Sequence, residues 1–506
     1  MDKYLLGIDN GGSDIKCALF NTEGRQIAVA SCSLDIDSPE TGFSERNSEE
    51  VWQANAGLIR QILEQSKIDP ADILSIGITA YGNGLVFVDE NIREVYPAIV
   101  STDGRANELC QTFKNNSTER TLYPLTRQTI WSAQPAALLP WFKANRPDIL
   151  RKTRYILSMK DFIRYKLTGQ LNGELTEASS TGLMNLTSRQ YDPYIFHVLG
   201  IDECLDMFPP VLKSTAIAGR ISEEAEKQTG LKQGTPVAAG YFDIDANALA
   251  SGILNDSELC LIAGTWSINE FLVGSVTDDY DKRTNIATLS YMENLYLMED
   301  SAPTSAGNFA WYIRRIIKQY APDISDAEIY RLCNEQVNMR GAEESDVIFI
   351  PYIYGSATHP FARGAFLNIS AKDDHVSLLR AIYEGVVFSS VHHVRNLKRP
   401  IESYSIAKLS GGLSNSPVWS QMMADALQIP IQTIEGSQIG ARGAAIGAGV
   451  ACGVFEDLKQ GVEVMVRPFK TYIPRKRYAK IYAEKYERYE KALQALDQLA
   501  ESLQEV

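Results

Sequence analysis

Asp9 ends the apolar run Tyr4–Ile8 and opens the turn Asn10-Gly11-Gly12-Ser13, with Lys16 shortly after it. Glycines in a tight turn leave backbone N–H groups uncovered, and such groups can cradle phosphate oxygens. A carboxylate at the end of an apolar run suits Mg²⁺, which takes oxygen ligands and keeps several waters. Gly11, Gly12, Ser13 and Lys16 are therefore candidate phosphate ligands, and Asp9 a candidate for holding Mg²⁺ through water. An ordinary hairpin turn is the plainer alternative.

Similar residue types return in Gly264-Thr265-Trp266-Ser267 and in Gly411-Gly412-Leu413-Ser414-Asn415-Ser416, which precedes the helical pattern Val418–Leu427. Phosphoryl transfer needs donors around several phosphate oxygens, so two turns of this kind carry more weight than one. The glycine pair at 411–412 would let a nucleotide approach the backbone. A strand-to-helix turn capped by Ser or Asn would read the same way. No G-x-x-x-x-G-K-[ST] loop is present. Gly440 to Gly449 reads as small-residue helix packing.

Asp243 and Asp245 follow the apolar run Thr235–Ala239 and Gly240. A carboxylate at a strand end can accept a hydroxyl's proton as the oxygen attacks phosphorus. In extended geometry the two would share a face, and spacing alone does not choose between them. Asp103 and Arg105, with Tyr81 and Asn83 of Tyr81-Gly82-Asn83-Gly84, could hydrogen-bond a polyhydroxylated ligand, or could be satisfied loop residues. His392 and His393 are adjacent and point apart, so no metal-ligand spacing involves them.

The elements that must position these residues are legible. Tyr4–Ile8 and Ile15–Phe20 flank the first glycine turn as a hairpin, with a third strand near Gln26–Ser31. Asn47 caps a helix running to Ser66, with Val51, Leu58, Ile59 and Ile62 at helical spacing. Ile73–Thr79 and Leu85–Val88 read as strands. A second hairpin, Leu259–Ile262 with Ile268–Leu272, repeats the first pattern. A hairpin at the head of each half predicts a duplicated α/β architecture with domains 1–246 and 247–506. From Tyr478 onward the pattern is an amphipathic helix packing back on the body.

At 506 residues the chain is too long for one core. Its net charge of −14, with no compensating basic block, argues against nucleic-acid partners. Arg467 to Lys480 is the most basic stretch, but Pro474 and aromatics interrupt it. The seven cysteines are scattered, odd in number and never in C-x-x-C spacing. A disulfide framework or zinc site is therefore not expected, and a reducing cytoplasm is. No signal peptide or membrane-spanning run is read, so no membrane partner is expected.

Together these segments resemble the FGGY family of carbohydrate kinases, from Gly7 to about Gly449. Further landmarks are Thr41-Gly42-Phe43-Ser44-Glu45, Lys160-Asp161-Phe162 with Leu167-Thr168-Gly169, Ala381–Gly385, and Trp419, Gln421, Ala424 and Asp425 after Gly411-Gly412. The resemblance implies a two-domain actin/hexokinase-like (ribonuclease H-like) α/β fold with an interdomain cleft. It also implies ATP and Mg²⁺, a small sugar as acceptor, and a homodimer. It assigns the catalytic base to Asp243, leaves Asp245 without a role, and makes Asp9 the Mg²⁺-linked carboxylate. Gly264, Thr265, Gly307, Gly411, Gly412 and Asn415 would line the nucleotide. Tyr81, Asn83, Asp103 and Arg105 would join Asp243 around the sugar.

Departures from the family pattern bear on the acceptor. D-xylulose-type members carry Gln-Met-His-Gly where this chain has Tyr81-Gly82-Asn83-Gly84, and glycerol kinases carry Arg-Glu at positions Asn83 and Gly84. The short Pro351–Ala357 segment resembles the L-xylulose kinase branch. So do Leu122–Thr129 with Trp131, and Pro303–Asn308. The resemblance thus implies a ketopentose such as L-xylulose, converted to its 5-phosphate. Alternatives on the same fold are a polyol kinase (erythritol, glycerol) or an aldonate kinase (gluconate), for which Arg105 and Arg127 would supply the cation. A non-catalytic ATP-binding protein of the actin/chaperone superfold, or a catalytically dead sugar sensor, is a further alternative. Retention of Asp9 and Asp243 counts against the sensor.

Overall fold

The apolar run at the N-terminus extends as β1 (Tyr4–Asn10), which pairs antiparallel with β2 (Asp14–Asn21); β2 pairs in turn with β3 (Gln26–Ser33). The computed structural model describes residues 2–264, 266–283, 286–302, 305–355, 363–436 and 438–502. On the other side of β1 lies β4 (Ile73–Ala80), parallel to it. With β5 (Ile217–Arg220) and β6 (Pro236–Ala238) the sheet order is β5-β6-β4-β1-β2-β3, and β7 (Tyr241–Phe242) pairs with the end of β4. Leu5, Leu6 and Ile8 of β1, and Ile76 and Ile78 of β4, are fully buried. Such continuous apolar runs mark strands covered on both faces.

One face is covered by α1 (Ser48–Ser66), capped as expected: the Asn47 side chain accepts the Glu50 N–H. Leu6 and Ile8 meet Val51, Trp52, Ile59 and Ile62 of this helix in one cluster. The same unit contains α2 (Met159–Thr168), α3 (Leu175–Ser180) and α4 (Asp243–Ala250).

A second unit repeats the pattern. Its strands are β8 (Glu258–Ala263), β9 (Ser267–Val273), β10 (Tyr296–Ala302), β11 (Ile406–Ser410), β12 (Ile431–Ile434) and β13 (Pro468–Tyr472), in the order β10-β9-β8-β11-β12-β13. β8 pairs antiparallel with β9 and parallel with β11, as β1 does with β2 and β4. Three helices, α5 (Gly307–Tyr312), α6 (His375–Asn396) and α7 (Pro417–Leu427), interlock through aromatic rings. Tyr383 stacks on Trp419 at 3.8 Å, and Phe309 meets both edge-on at 5.2 Å.

The chain then returns to the first unit as α8 (Ile439–Ala451). Gly7 and Gly77 lie side by side in the β1–β4 register and form a trough for this helix. A Cβ on Gly7 would fall on the Ala441 carbonyl, and one on Gly77 on the Ala444 carbonyl. Gly443 likewise rests on the Ala246 carbonyl of α4. The small-residue run is thus helix packing. The last helix, α9 (Lys476–Ser502), belongs to the second unit, where Lys485 Nζ reaches Glu384 of α6 at 2.6 Å.

The division into compact units differs from the contiguous one expected at 246/247. The first unit is Met1–Leu254, Val273–Leu297 and Gln438–Arg467; the second is Asn255–Leu272, Met298–Ser437 and Pro468–Val506. Long-range contacts cause the difference. Gln128 Nε2 donates to the Ala287 carbonyl at 2.8 Å, which ties the 273–297 segment to the first unit, and α8 fills its trough. Among the described residues no helix is long and apolar enough to cross a membrane.

Candidate active site

In the first unit the candidates gather at the C-terminal ends of parallel strands, where ligands of open α/β sheets bind. Asp9 of β1 is level with Thr79 of β4, and Thr79 with Tyr241 of β7. Two strand spacings, about 10 Å of backbone, therefore separate Asp9 from Tyr241. Burial pushes the Asp9 carboxyl up to about 6; Lys16, opposite it in the hairpin, pulls it down, and Asp14 pushes it up further. Helix α8 begins beside this carboxylate, because a Cβ on Gly440 would fall on Asp9 Oδ2. A desolvated carboxylate of this kind favours a cation, and Mg²⁺ can be held by one carboxylate plus waters. Among the described residues no group of three or more His, Cys, Asp or Glu forms a denser metal cluster.

The turn after Asp9 is closed by the Gly11 N–H, which donates to the Asp14 carbonyl at 2.9 Å. Gly11 thus shapes the turn, and its own N–H is engaged there. Gly12 has open space around its Cα, and Ser13 is exposed.

Asp243 is the first residue of α4 and is half-buried. The expected extended geometry is corrected here. The strand ends at Phe242, so the two aspartates sit on the first helical turn and do not share a face. Asp245 is fully buried and accepts the Tyr291 N–H at 3.0 Å. Burial and the nearby Glu174 hold its carboxyl well above the usual range. Asp243 is the accessible one of the pair.

The Tyr81–Gly84 loop borders the same strand ends, since the Tyr81 N–H donates to the Asn10 carbonyl at 2.8 Å. Asn83 takes a left-handed conformation (φ 64°), and its N–H donates to Glu177 Oε1 at 3.0 Å. The Tyr81 hydroxyl and Asn83 Oδ1 are buried with no hydrogen-bond partner in the protein, which suits them to a ligand's hydroxyls.

Asp103 and Arg105 behave otherwise, and the expectation that they contact a ligand is corrected. Arg105 Nε and Nη2 each reach Asp103 at 2.9 Å, and Nη2 also reaches Glu45 at 2.7 Å. Asp103 further accepts the Ser44 N–H at 2.7 Å, and the guanidinium lies 4.1 Å from the Phe43 ring centroid. Both side chains are 0% exposed. They form an internal ion pair that pins the Thr41–Glu45 landmark.

The second unit brings its own glycines together. A Cβ on Gly411 (φ 86°) would lie 2.9 Å from the Gly264 nitrogen. The Gly264 carbonyl accepts the Ala306 N–H at 3.2 Å, which places Gly307 at the same edge. Gly412 and Asn415 are exposed on the turn that follows, and Ser416 caps α7 through the Trp419 N–H. Thr265 lies outside the described residues, as do Pro303, Thr304, Ser356 and Ala357 among the sequence landmarks.

Sequence reasoning missed Glu174 and Glu177 and gave Lys160 no role. These side chains are buried, and no spacing or periodicity sets them apart from charges on a solvated face.

Residues 4–250 match the N-terminal domain of the FGGY family of carbohydrate kinases, and residues 259–452 match its C-terminal domain. The chain is 34% identical over 501 residues to a probable L-xylulose kinase of Haemophilus influenzae (strain ATCC 51907 / DSM 11121 / KW20 / Rd), covering 98% of this chain and 99% of that one. It is 33% identical over 496 residues to the L-xylulose/3-keto-L-gulonate kinase of Escherichia coli (strain K12), covering 98% of each. Its fold matches that of a ligand-bound xylulose kinase from Lactobacillus acidophilus with a TM-score of 0.87 at 22% identity, over 98% of each chain. With both family domains present along one two-unit α/β chain, the protein belongs to the FGGY family of carbohydrate kinases and is an ATP-dependent carbohydrate kinase.

Proposed function

We propose that this kinase phosphorylates the terminal hydroxyl of a ketopentose, with L-xylulose as the preferred acceptor. The observation that carries the acceptor is the near-full-length identity of 33% to the Escherichia coli L-xylulose/3-keto-L-gulonate kinase, against 25% to the Bacillus subtilis xylulose kinase. Tyr81-Gly82-Asn83-Gly84, in place of the Gln-Met-His-Gly of D-xylulose-type members, points the same way.

In the proposed mechanism the Asp243 carboxylate accepts the proton of the sugar hydroxyl as its oxygen attacks the γ-phosphorus. The bond from that phosphorus to the β–γ bridging oxygen breaks, and ADP leaves. Tyr81 and Asn83 orient the sugar through polar atoms left without a partner inside the protein. Gly12, Ser13 and Lys16 face phosphate charge in the first unit; Gly264, Gly307, Gly411, Gly412 and Asn415 line the nucleotide in the second. Asp9 would hold Mg²⁺ through water, and a bound ion would supply positive charge to offset that of the phosphates.

The test is an ADP-coupled assay over L-xylulose, D-xylulose, 3-keto-L-gulonate, gluconate, glycerol and erythritol. The highest kcat/KM is expected for L-xylulose. A higher value for a polyol, an aldonate or D-xylulose overturns the acceptor assignment.

A further inference from the structure

Lys160 of α2 is fully buried, and its ammonium donates to Glu174 Oε2 at 2.7 Å. Both side chains of this pair are 0% exposed. Glu174 caps α3: its Oε1 accepts the Thr176 N–H at 2.8 Å, and its Oε2 accepts the Thr176 hydroxyl at 2.8 Å. That hydroxyl in turn accepts the Phe242 N–H at 2.9 Å. Phe242 is the residue immediately before Asp243. A hydroxyl that donates to a carboxylate has its lone pairs turned away from it, so the Glu174 charge fixes the acceptor offered to Phe242. Ser214 also donates to Glu174, while its carbonyl accepts the Gly240 N–H at 3.0 Å. Arg164, paired with Asp161 at 2.9 Å, donates to the Ala239 carbonyl at 2.6 Å. The segment from Ala239 to Phe242 is thus held from several sides by buried charges that do not touch Asp243 in any of these bonds.

The first turn of the same short helix also reaches the sugar loop. Glu177, one turn beyond Glu174, accepts the Asn83 N–H, and burial keeps its carboxyl well above the usual range. The start of one helix therefore holds one buried carboxyl toward Phe242, through Thr176, and a second toward the loop. Burying a lysine and two glutamates together is costly, and a hydrophobic substitute of similar volume would commonly serve stability as well.

We infer that α3 is a positioning element for phosphoryl transfer: the Lys160–Glu174–Thr176 chain sets the approach of Asp243, and Glu177 sets the Asn83 loop that orients the sugar. This rests on the reading of Asp243 as the base. None of Lys160, Glu174, Thr176 and Glu177 is a catalytic residue in this scheme, because each acts through Phe242 or Asn83.

The experiment compares Thr176→Val, Thr176→Ala and Thr176→Ser in the full-length enzyme, with Asp243→Asn alongside. Thr176→Val and Thr176→Ala remove the acceptor and are expected to lower kcat by about 10- to 100-fold, with the KM for ATP little changed. Thr176→Ser keeps the hydroxyl and is expected to restore kcat. Glu177→Ala is expected to raise the KM for the sugar, whereas Glu177→Gln, whose amide oxygen can also accept the Asn83 N–H, should leave it near the parent value. Equal kcat for the Val, Ala and Ser variants overturns the link to Phe242, and so does a normal kcat in whichever of Val and Ala folds. Equal sugar KM for Glu177→Ala and Glu177→Gln overturns the link to the loop. Near-normal turnover by Asp243→Asn removes the base assignment itself, an outcome separate from the other two.

Discussion

The ring of Phe242 fills the space that a Cβ on Gly82 would occupy. The residue before Asp243 is therefore packed against the bare backbone of the loop that carries Tyr81 and Asn83. A side chain at position 82 must displace either that ring or the loop, although Phe242 is also held level with Ala80 by strand pairing. Gly82→Ala is expected to lower kcat/KM for the sugar by about 10-fold or more, with a much smaller change in the KM for ATP. Steady-state kinetics with each substrate varied in turn checks this.

Asp243→Asn is expected to abolish phosphotransfer, by roughly 10²–10⁴-fold in kcat, while nucleotide binding persists. Asp245→Asn is the matched control. Burial holds its carboxyl well above the usual range, and it accepts the Tyr291 N–H at 3.0 Å, which an amide oxygen can also accept. Turnover within a few fold of the parent is expected there. Parallel measurements of kcat and of ATP binding by fluorescence separate the two aspartates.

The pair Asp103–Arg105 should register in stability. Removing one partner of a buried ion pair leaves an uncompensated charge, typically at a cost of about 3–5 kcal/mol. Arg105→Ala leaves Asp103 and Glu45 without their guanidinium, so a large drop in the urea midpoint is expected. The more conservative Arg105→Lys should also be destabilising, because an ammonium cannot reproduce the forked contact. Parent-like unfolding of both variants would contradict the structural role.

Glu299 of β10 supplies a pH dependence. Burial raises its carboxyl from 4.5 to about 7, partly opposed by the Ser301 hydroxyl and reinforced by Asp300. In the unfolded chain this group ionises at its ordinary value, whereas the folded chain keeps the proton until near neutrality. Stability from this group is therefore full at acid pH and falls as pH rises from the ordinary carboxyl value to about 7, by roughly 3 kcal/mol. Glu299→Gln should flatten that fall. Thermal melts of parent and variant from about pH 5 to about pH 8 read it, and identical pH slopes would overturn the assignment.

Much of this was legible in the sequence because local rules decide it. A glycine turn between apolar runs gave β1 and β2, Asn47 began α1, and Leu85–Val88 formed as expected. Alternation misled at Asp243 and Asp245, where β7 is only two residues long and the helix starts at once. Nothing local announces that Arg105 turns inward onto Asp103, since a loop arginine and a buried one have the same neighbours in sequence. The same holds for Lys160 and Glu174, whose pairing depends on a fold that removes both from water. The small-residue run from Gly440 was visible, but its partners Gly7 and Gly77 lie hundreds of residues upstream.

That last separation orders events during synthesis. Ribosomes deliver β1 and β4 early, yet the helix that fills their glycine trough, α8, follows after most of the second unit, all but its Pro468–Val506 segment, has been made. Until then the trough beside Asp9 stays open, with the backbone of Gly7 and Gly77 and the Leu5 side chain uncovered. The first unit is thus finished by one of its last-made pieces. A chain stopped before Gln438 would hold every residue of the β1–β2 hairpin and α4, yet present a sticky, half-built surface to chaperones rather than a working phosphate site.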